Sequence, residues 1–308
     1  MEKSEEKMKI SVVTPYYKGL KTIFKTINSV FASANLVKDI DLEYVVIIDS
    51  MEDKDEAEFL LKKEYSEKLK IIKNDVNLGV AESRNKVLKM IDFDFILFLD
   101  QDDLIDTNYF SEMRKGMESN ADMIVSNAYV VNAKNNKKVR MYNFNPRFSF
   151  NKFLKGNRIL SPGQVMFSRK IKEIDNLYTG CSENYKGADD WAAYLNIFVT
   201  YGDINIFYIK EPIFYYILHE NNYSKNWKEL NLSAVETARF FREKVDDNRK
   251  EILDKQIEFL LFENECKDEN YKVTYRDINK LIMYYTYNIF DYNKITHYMN
   301  KKLVSFNK

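Results

Sequence analysis

The stretch that most constrains this chain is Phe93-Asp94-Phe95-Ile96-Leu97-Phe98-Leu99-Asp100-Gln101-Asp102-Asp103, an apolar run that stops abruptly in three carboxylates. A short apolar run with charged flanks reads as a strand buried on both faces, as in the middle of a parallel sheet. In open α/β sheets, ligands bind outside the carboxyl ends of such strands, so the acids fall where a site belongs. Like charges a few Å apart raise one another's pKa, and Asp100, Asp102 and Asp103 therefore call for a counter-charge. A divalent cation is one solution. Oxygen donors with no His or Cys nearby favour Mg²⁺ or Mn²⁺ over zinc. The other solution is an Asp-rich helix start capped by Asp103 or Asp106, and the residues alone leave both open.

The rest of the chain alternates strand-like and helix-like segments. Residues 9–14 read as a strand closed by Pro15, and Leu20, Ile23, Phe24, Ile27, Val30, Phe31 and Ala34 recur at helical spacing after it. A second buried strand, 43–48, ends in Asp49, and the acidic stretch 52–58 leads into another helix. A third strand, 69–73, precedes the turn Asn77-Leu78-Gly79 and a helix over 80–90. This alternation predicts right-handed crossovers and a mostly parallel central sheet. Further strands are expected at 121–127, 138–144, 165–168, 205–210 and 213–218. Asp189 and Asp190 open a helix over 191–199, where acids also complement the helix dipole. His219 follows the last strand, a place where a lone histidine is more often a structural residue than a ligand. Beyond Pro212 there is neither Gly nor Pro, which predicts long helices at about 229–265 and 276–300. The last is rich in aromatics (Tyr284, Tyr285, Tyr287, Phe290, Tyr292, Tyr298), a surface for packing on its own domain, with partner or peripheral membrane contact as the minority reading. The expected division is a catalytic unit over 1–224 and a helical appendage over 225–308.

Composition removes several function classes. Lys plus Arg and Asp plus Glu are both 47, so no general affinity for polyanions, and hence no nucleic-acid partner, is expected. The charged start, 1–9, does not resemble a signal peptide, and no run approaches the ~18 apolar residues of a spanning helix, so a cytoplasmic location is expected. Cys181 and Cys266, with two histidines in the chain, form neither a disulfide framework nor a zinc site. The eight glycines never fall as GxGxxG or GxxxxGK. Phosphates bound here would need a metal to carry them, which raises the weight of the acid cluster.

Five motifs in order resemble the family 2 glycosyltransferases: Ile10-Ser11-Val12-Val13-Thr14-Pro15-Tyr16-Tyr17; the strand ending at Asp49; Asn77-Leu78-Gly79-Val80-Ala81-Glu82-Ser83-Arg84-Asn85; Phe98-Leu99-Asp100-Gln101-Asp102-Asp103; and Asp189-Asp190-Trp191. The resemblance covers residues 9–224 and leaves the helical tail outside. It implies an α/β glycosyltransferase-A fold, a nucleotide-sugar donor (usually a UDP-sugar), Mn²⁺ or Mg²⁺, and inversion at the anomeric carbon. Position by position, it implies that Thr14, Pro15 and Tyr17 line the nucleotide pocket and that Asp49 accepts a hydrogen bond from the base. It places Asn77 and Arg84 at the nucleotide or its phosphates, Asp100 and Gln101 beside the ribose and donor, and Asp102 and His219 at the metal. Asp190 becomes the general base. Gly163, Gln164, Asp189 and Trp191 fall on the acceptor side, near loops expected at 143–164 and 178–188.

Two departures matter. The family's Asp-Asp-Gly-Ser reads Ile48-Asp49-Ser50-Met51 here, which weakens uracil specificity, and the Gln-x-x-Arg-Trp pattern of processive members is absent. Transfer of a single sugar to a glycan, lipid-linked or protein acceptor is the expected activity. The competing expectation is a non-catalytic nucleotide- or sugar-binding subunit with the same fold.

Overall fold

The structure, a computed structural model, describes residues 7–220, 222, 226–266, 274 and 277. The chain falls into two compact units that interleave along the sequence: 1–140, 159–177 and 204–217 in the first, and 141–158, 178–203 and 218–308 in the second. A single cut at 224 was expected instead; segments 141–158 and 178–203 join the C-terminal helices in the second unit.

The first unit is built on a sheet whose strands are β1 (Met8–Tyr16), β2 (Ile40–Ile48), β3 (Lys70–Lys73), β4 (Phe95–Phe98), β5 (Leu104–Ile105), β6 (Met123–Asn132), β7 (Lys138–Arg140), β8 (Val165–Ser168) and β9 (Ile206–Leu218). Their order is β3-β2-β1-β4-β8-β6-β9-β5, with β7 paired to β6. Helices α1 (Leu20–Ala34), α2 (Lys54–Tyr65) and α3 (Val80–Met90) make the crossovers between the first four strands, which are all parallel. Helix α4 (Tyr109–Glu118) follows β5. The apolar positions of α1 dictate its packing: Ile23, Thr26, Ile27, Val30 and Ser33 are buried, one stripe at helical spacing. All four residues of β4 are buried, as a central strand requires.

The expectation of a mostly parallel sheet holds only as far as β4. From there β4–β8, β6–β8, β6–β7 and β5–β9 are antiparallel. The two-residue strand β5 is too short to carry a periodic signal, whereas helix α4, not among the expected helices, buries Tyr109, Phe110, Met113 and Met117 at helical spacing. The strand expected at 138–144 is limited to Lys138–Arg140. Pro15 does not close the first strand. β1 runs through it to Tyr16 along β2, while its other neighbour β4 pairs no further than Val13–Phe98, so the missing Pro15 N–H costs no ladder bond there. The strands expected at 205–210 and 213–218 are one strand through Pro212. Just before that proline, the Lys210 carbonyl accepts from the side chains of Asn127 (3.2 Å) and Arg140, so side-chain donors stand in for a backbone ladder.

In the second unit, α5 (Phe150–Leu154) and α6 (Asp189–Tyr201) pack through aromatic rings, with Phe150 stacked on Phe198 at 5.4 Å between centroids. The helix expected over 229–265 is two helices, α7 (Trp227–Arg242) and α8 (Asp247–Cys266). No Gly or Pro breaks it. Asp246 does so by capping, its Oδ1 accepting the Arg249 N–H at 3.1 Å. The hairpin is then clamped by a bidentate pair, Arg242 Nε and Nη2 to Asp254 at 2.6 and 3.0 Å. The aromatic helix expected at 276–300 lies outside the described residues.

Gly163, in the 3-10 turn Pro162–Gln164 that feeds β8, shows how tightly the first unit is filled. A Cβ there would come within 2.3 Å of Phe214 Cε2 and 2.8 Å of Leu99 Cδ1. Gly163→Ala should therefore cost about 1–3 kcal/mol of unfolding free energy through overpacking, measured by urea titration. A loss below about 0.5 kcal/mol would mean that the rings move aside.

Candidate active site

Strands β1 and β4 part company at their carboxyl ends. The last ladder contact is Leu99 N–H to Val13 O at 2.9 Å, after which β1 continues along β2 and the chain beyond β4 turns away through Asp100–Asp103. Strand order reverses at β1, whose successor β2 lies on one side and β4 on the other, so this is the switch point where open α/β sheets hold ligands.

Most of the sequence-predicted donor-side residues gather around this fork, but several are supports rather than exposed contacts. Asp49, expected to meet the base from a strand end, is buried at 4% exposure. Its Oδ1 accepts from Asn74 Nδ2 at 2.7 Å and Leu78 N at 2.8 Å, and its Oδ2 accepts from Gly79 N at 2.8 Å. The carboxylate thus moulds the turn Asn77-Leu78-Gly79. Asn77 Oδ1 shares the Gly79 N–H at 3.1 Å, and Gly79 sits at φ +81°, a conformation that suits glycine. The sequence reading missed two buried members of this network, Asn74 and Ser83, joined at 2.9 Å. Asn74 carries no periodic or motif signal, because its partners lie 25 and 9 residues away.

Arg84, expected at the nucleotide, is enclosed at 1% exposure, with Nη2 donating to Asp100 Oδ1 at 2.6 Å and Cζ 5.9 Å from the Phe98 ring centroid. Gln101 is committed likewise: Oε1 accepts from Tyr17 N at 3.0 Å and Nε2 donates to Tyr17 O at 2.8 Å. Gly19 is required beside it, since a Cβ would meet the Gln101 carboxamide at 2.2 Å. Thr14 is buried, its Oγ1 at 2.9 Å from the Tyr44 hydroxyl. Pro15 is half-buried and Tyr17 exposed.

The three acids of the tip have separate fates. Asp100 is neutralised by Arg84, so the cluster's counter-charge comes from the protein itself. Asp103 is buried. It accepts from Ser161 Oγ at 2.8 Å and Ile217 N at 2.9 Å, and burial, followed by the charges of Asp102 and Asp100, pushes its carboxyl well above the usual carboxylate range. It caps no helix; the residue before α4 is Asn108. Asp102 is half-buried in the turn closed by Asp103 N–H to Asp100 O at 3.2 Å. Among the described residues no group of three or more His, Cys, Asp or Glu is arranged to hold a metal ion. A cation at Asp102 would take most of its oxygens from substrate phosphates, a coordination that suits Mg²⁺ or Mn²⁺.

Gly163 and Gln164, expected on the acceptor side, are both buried. Gln164 Nε2 donates to Ser126 O at 3.0 Å and its Oε1 accepts from Leu160 N at 2.8 Å. In the second unit, Trp191 is likewise core, 2% exposed with Nε1 donating to Phe153 O at 2.7 Å. Asp189 and Asp190 stand half-buried in the first turn of α6. His219 is half-buried, its backbone N–H donating to the Asn222 side chain.

A half-parallel sheet with an acid-tipped central strand at the switch point is the architecture of a glycosyltransferase-A domain. The chain belongs to Glycosyl transferase family 2, whose model matches residues 11–174, more than half of its length. It is 31% identical over 119 residues to the poly(ribitol-phosphate) beta-N-acetylglucosaminyltransferase TarP of Staphylococcus aureus, covering 38% of this chain and 36% of that one. It is 27% identical over 148 residues to the UDP-Glc:alpha-D-GlcNAc-diphosphoundecaprenol beta-1,3-glucosyltransferase WfgD of Escherichia coli, covering 47% and 55%. These matches thus span between a third and just over half of the relatives' lengths. In fold, the chain is similar to S. aureus TarS in complex with UDP-GlcNAc (TM-score 0.63, 18% identity, 90% of this chain and 79% of that one). It is also similar to a mannosyltransferase from Pyrobaculum calidifontis in complex with GDP-Man and Mn²⁺ (TM-score 0.58, 13% identity, 97% and 85%). No described helix is long and apolar enough to cross a membrane.

The Asp49 network yields a test. Asp49→Ala removes the charged acceptor of the Leu78 N–H, the Gly79 N–H and the Asn74 carboxamide, of which Gly79 keeps Asn77 Oδ1 and Asn74 keeps Ser83 Oγ, and hydrogen bonds to a charged group contribute about 1.5–3 kcal/mol each. We expect a loss on the order of 3 kcal/mol in urea unfolding, together with weaker UDP binding by calorimetry. Unchanged stability would remove Asp49 as the organiser of the turn.

Proposed function

We propose that the protein transfers one sugar from a nucleotide-sugar donor, a UDP-sugar, to a hydroxyl of a glycan, lipid-linked or protein acceptor with inversion at the anomeric carbon. The observation that carries this reading is the placement of the Asp100–Asp103 turn, braced by buried Arg84, at the switch point of a family 2 domain. UDP-linked sugars in the name of WfgD and in the TarS complex support the choice of donor, and N-acetylglucosamine in the name of TarP and in that complex makes it the first sugar to try.

Tyr17 and the turn shaped by Asp49 take the nucleoside, and Asp100, held by Arg84, faces the ribose. A divalent cation on Asp102 would offset the charge of the departing diphosphate. In the chemical step the acceptor oxygen bonds to the anomeric carbon on the face opposite the leaving group. The Asp190 carboxylate takes the hydroxyl proton, and the bond to the diphosphate breaks to release UDP. One base suffices, whereas glycoside hydrolases need a pair of carboxyl groups.

Asp190 precedes Trp191 as the base does in the family pattern, and adjacent helical residues point about 100° apart, so Asp189 does not duplicate it. Asp190→Asn should keep UDP affinity and lose about 10²- to 10⁴-fold in kcat, equivalent to roughly 2.7–5.5 kcal/mol. Asp189→Asn should cost less. A reversed order, or retained configuration read from the anomeric proton coupling, overturns the assignment. For the metal, Asp102→Asn should weaken UDP binding with Mn²⁺ present far more than in chelator; equal loss in both would remove Asp102 as ligand. A screen of nucleotide sugars with Mn²⁺, scoring UDP or GDP release, tests the donor class.

A further inference from the structure

The loop 180–188 runs directly into Asp189 and Asp190, and within the second unit it is held by one stripe of α7. Glu229, Ser233, Glu236 and Phe240 follow one another at intervals of four, three and four, which places them on one helix face. Each meets the loop. Lys186 N donates to Glu229 Oε1 at 3.3 Å, and Ala188 N donates to Ser233 Oγ at 3.1 Å. Glu236 accepts from the Ser182 hydroxyl and, through Oε1, from Asn184 Nδ2 at 3.1 Å. Ser182 Oγ in turn accepts the Tyr185 N–H at 2.8 Å, so the grip on one hydroxyl passes to the backbone. Phe240 closes the end of the stripe: at Gly180, φ +75°, an added Cβ would come within 2.3 Å of its ring.

Helix α6 has no side-chain cap of its own, its N-cap residue being Ala188. What fixes that end is Ser233, buried at 2% exposure. One residue beyond Asp190, Trp191 Nε1 is anchored on Phe153 O. Asp190 is therefore bracketed by two fixed points, Ala188 before it and Trp191 after it.

Resting on the reading of Asp190 as the base, we propose that α7 is the splint that sets its position, with Ser233 and Glu236 as positioning residues for the transfer step. Loops that carry chemistry are ordinarily the mobile part of a scaffold. Here three successive stripe residues take the loop's donors, so the base is aimed by a helix that makes no chemical contribution itself.

The experiment compares Ser233→Ala, Glu236→Ala, Glu236→Gln and Asp190→Asn in the full chain. It uses UDP-GlcNAc with Mn²⁺ and water as acceptor, calorimetry with UDP, and hydrogen exchange of the 184–188 amides. Ser233→Ala and Glu236→Ala should accelerate exchange at 184–188 about tenfold or more while 194–201 stays protected. They should lower kcat for UDP release about tenfold or more, since small misplacements of a catalytic group are costly. KM for UDP-GlcNAc and the stoichiometry of UDP binding should stay within about twofold, which separates misplacement from a loss of folded protein. Glu236→Gln, which keeps an oxygen for the Ser182 hydroxyl, should recover most of kcat. If kcat is unchanged in Ser233→Ala and Glu236→Ala while Asp190→Asn loses it, the splint is overturned and the base stands. If Asp190→Asn retains full kcat, the reading of the base falls and the splint's catalytic role with it.

Discussion

A buried guanidinium sets the terms for the fork between β1 and β4. Arginine does not lose its charge, so Arg84, enclosed in the second turn of α3, needs a fixed anion, and Asp100 supplies it at 2.6 Å. An unpaired charge in that position would cost several kcal/mol, which makes the pair a constraint on where β4 can end relative to α3. The pair is asymmetric. The Arg84 side chain is 2% exposed and that of Asp100 35%, so the carboxylate is held from within and still faces outward. Once Asp100 is fixed, the four-residue turn to Asp103 follows, and with it the placing of Asp102.

The same device recurs around the fork. Nucleotide sites often rely on glycine-rich loops whose backbone N–H groups cradle phosphates. This chain has none, and its loops at the carboxyl end of the sheet are instead shaped by polar side chains from other strands. Asp49 takes two successive N–H groups of the Leu78-Gly79 turn, and the Gln101 carboxamide bonds both backbone polar groups of Tyr17 as a neighbouring strand would. Such loops are ordered before any ligand arrives, which lowers the entropy cost of binding one.

This also explains what could be read from the residues and what could not. Local signals read well: α3 spans 80–90 and β8 spans 165–168 as their periodicity and flanks predict, and α1 buries the stripe its spacing announces. The family motifs singled out Asp49, Arg84 and Asp100, which the structure places around the fork. Their roles as supports were invisible, because each depends on a partner remote in sequence: Gln101 on Tyr17, 84 residues away, and Asp103 on Ser161, 58 away. A lone acid gives no sign of whether it faces solvent or satisfies buried amides. Long-range pairing likewise decided β9, where Pro212 reads as a break until Asn127 and Arg140 are seen to serve the carbonyl before it. The break between α7 and α8 was more accessible, since Asp246 three residues before Arg249 is a capping pattern that a search for Gly and Pro overlooks.

The two units also differ in what part of the chain prescribes them. The family match ends at residue 174, so the fork, the Asp49 turn and the Arg84–Asp100 pair fall inside it, while Asp190 and the helix stripe that holds its loop fall beyond it. Recognition of a nucleoside diphosphate is the same problem for every enzyme using such a donor, and a shared scaffold can solve it once. An acceptor differs from one enzyme to the next, and its chemistry is best carried on segments free to change without disturbing the sheet. On the proposed reading of Asp190 as the base, a base on such a segment would lose its aim unless something local replaced the lost rigidity. The stripe Glu229–Ser233–Glu236–Phe240 supplies that rigidity from within the same compact unit, so the loop can diverge in sequence as long as it keeps donors to meet the helix.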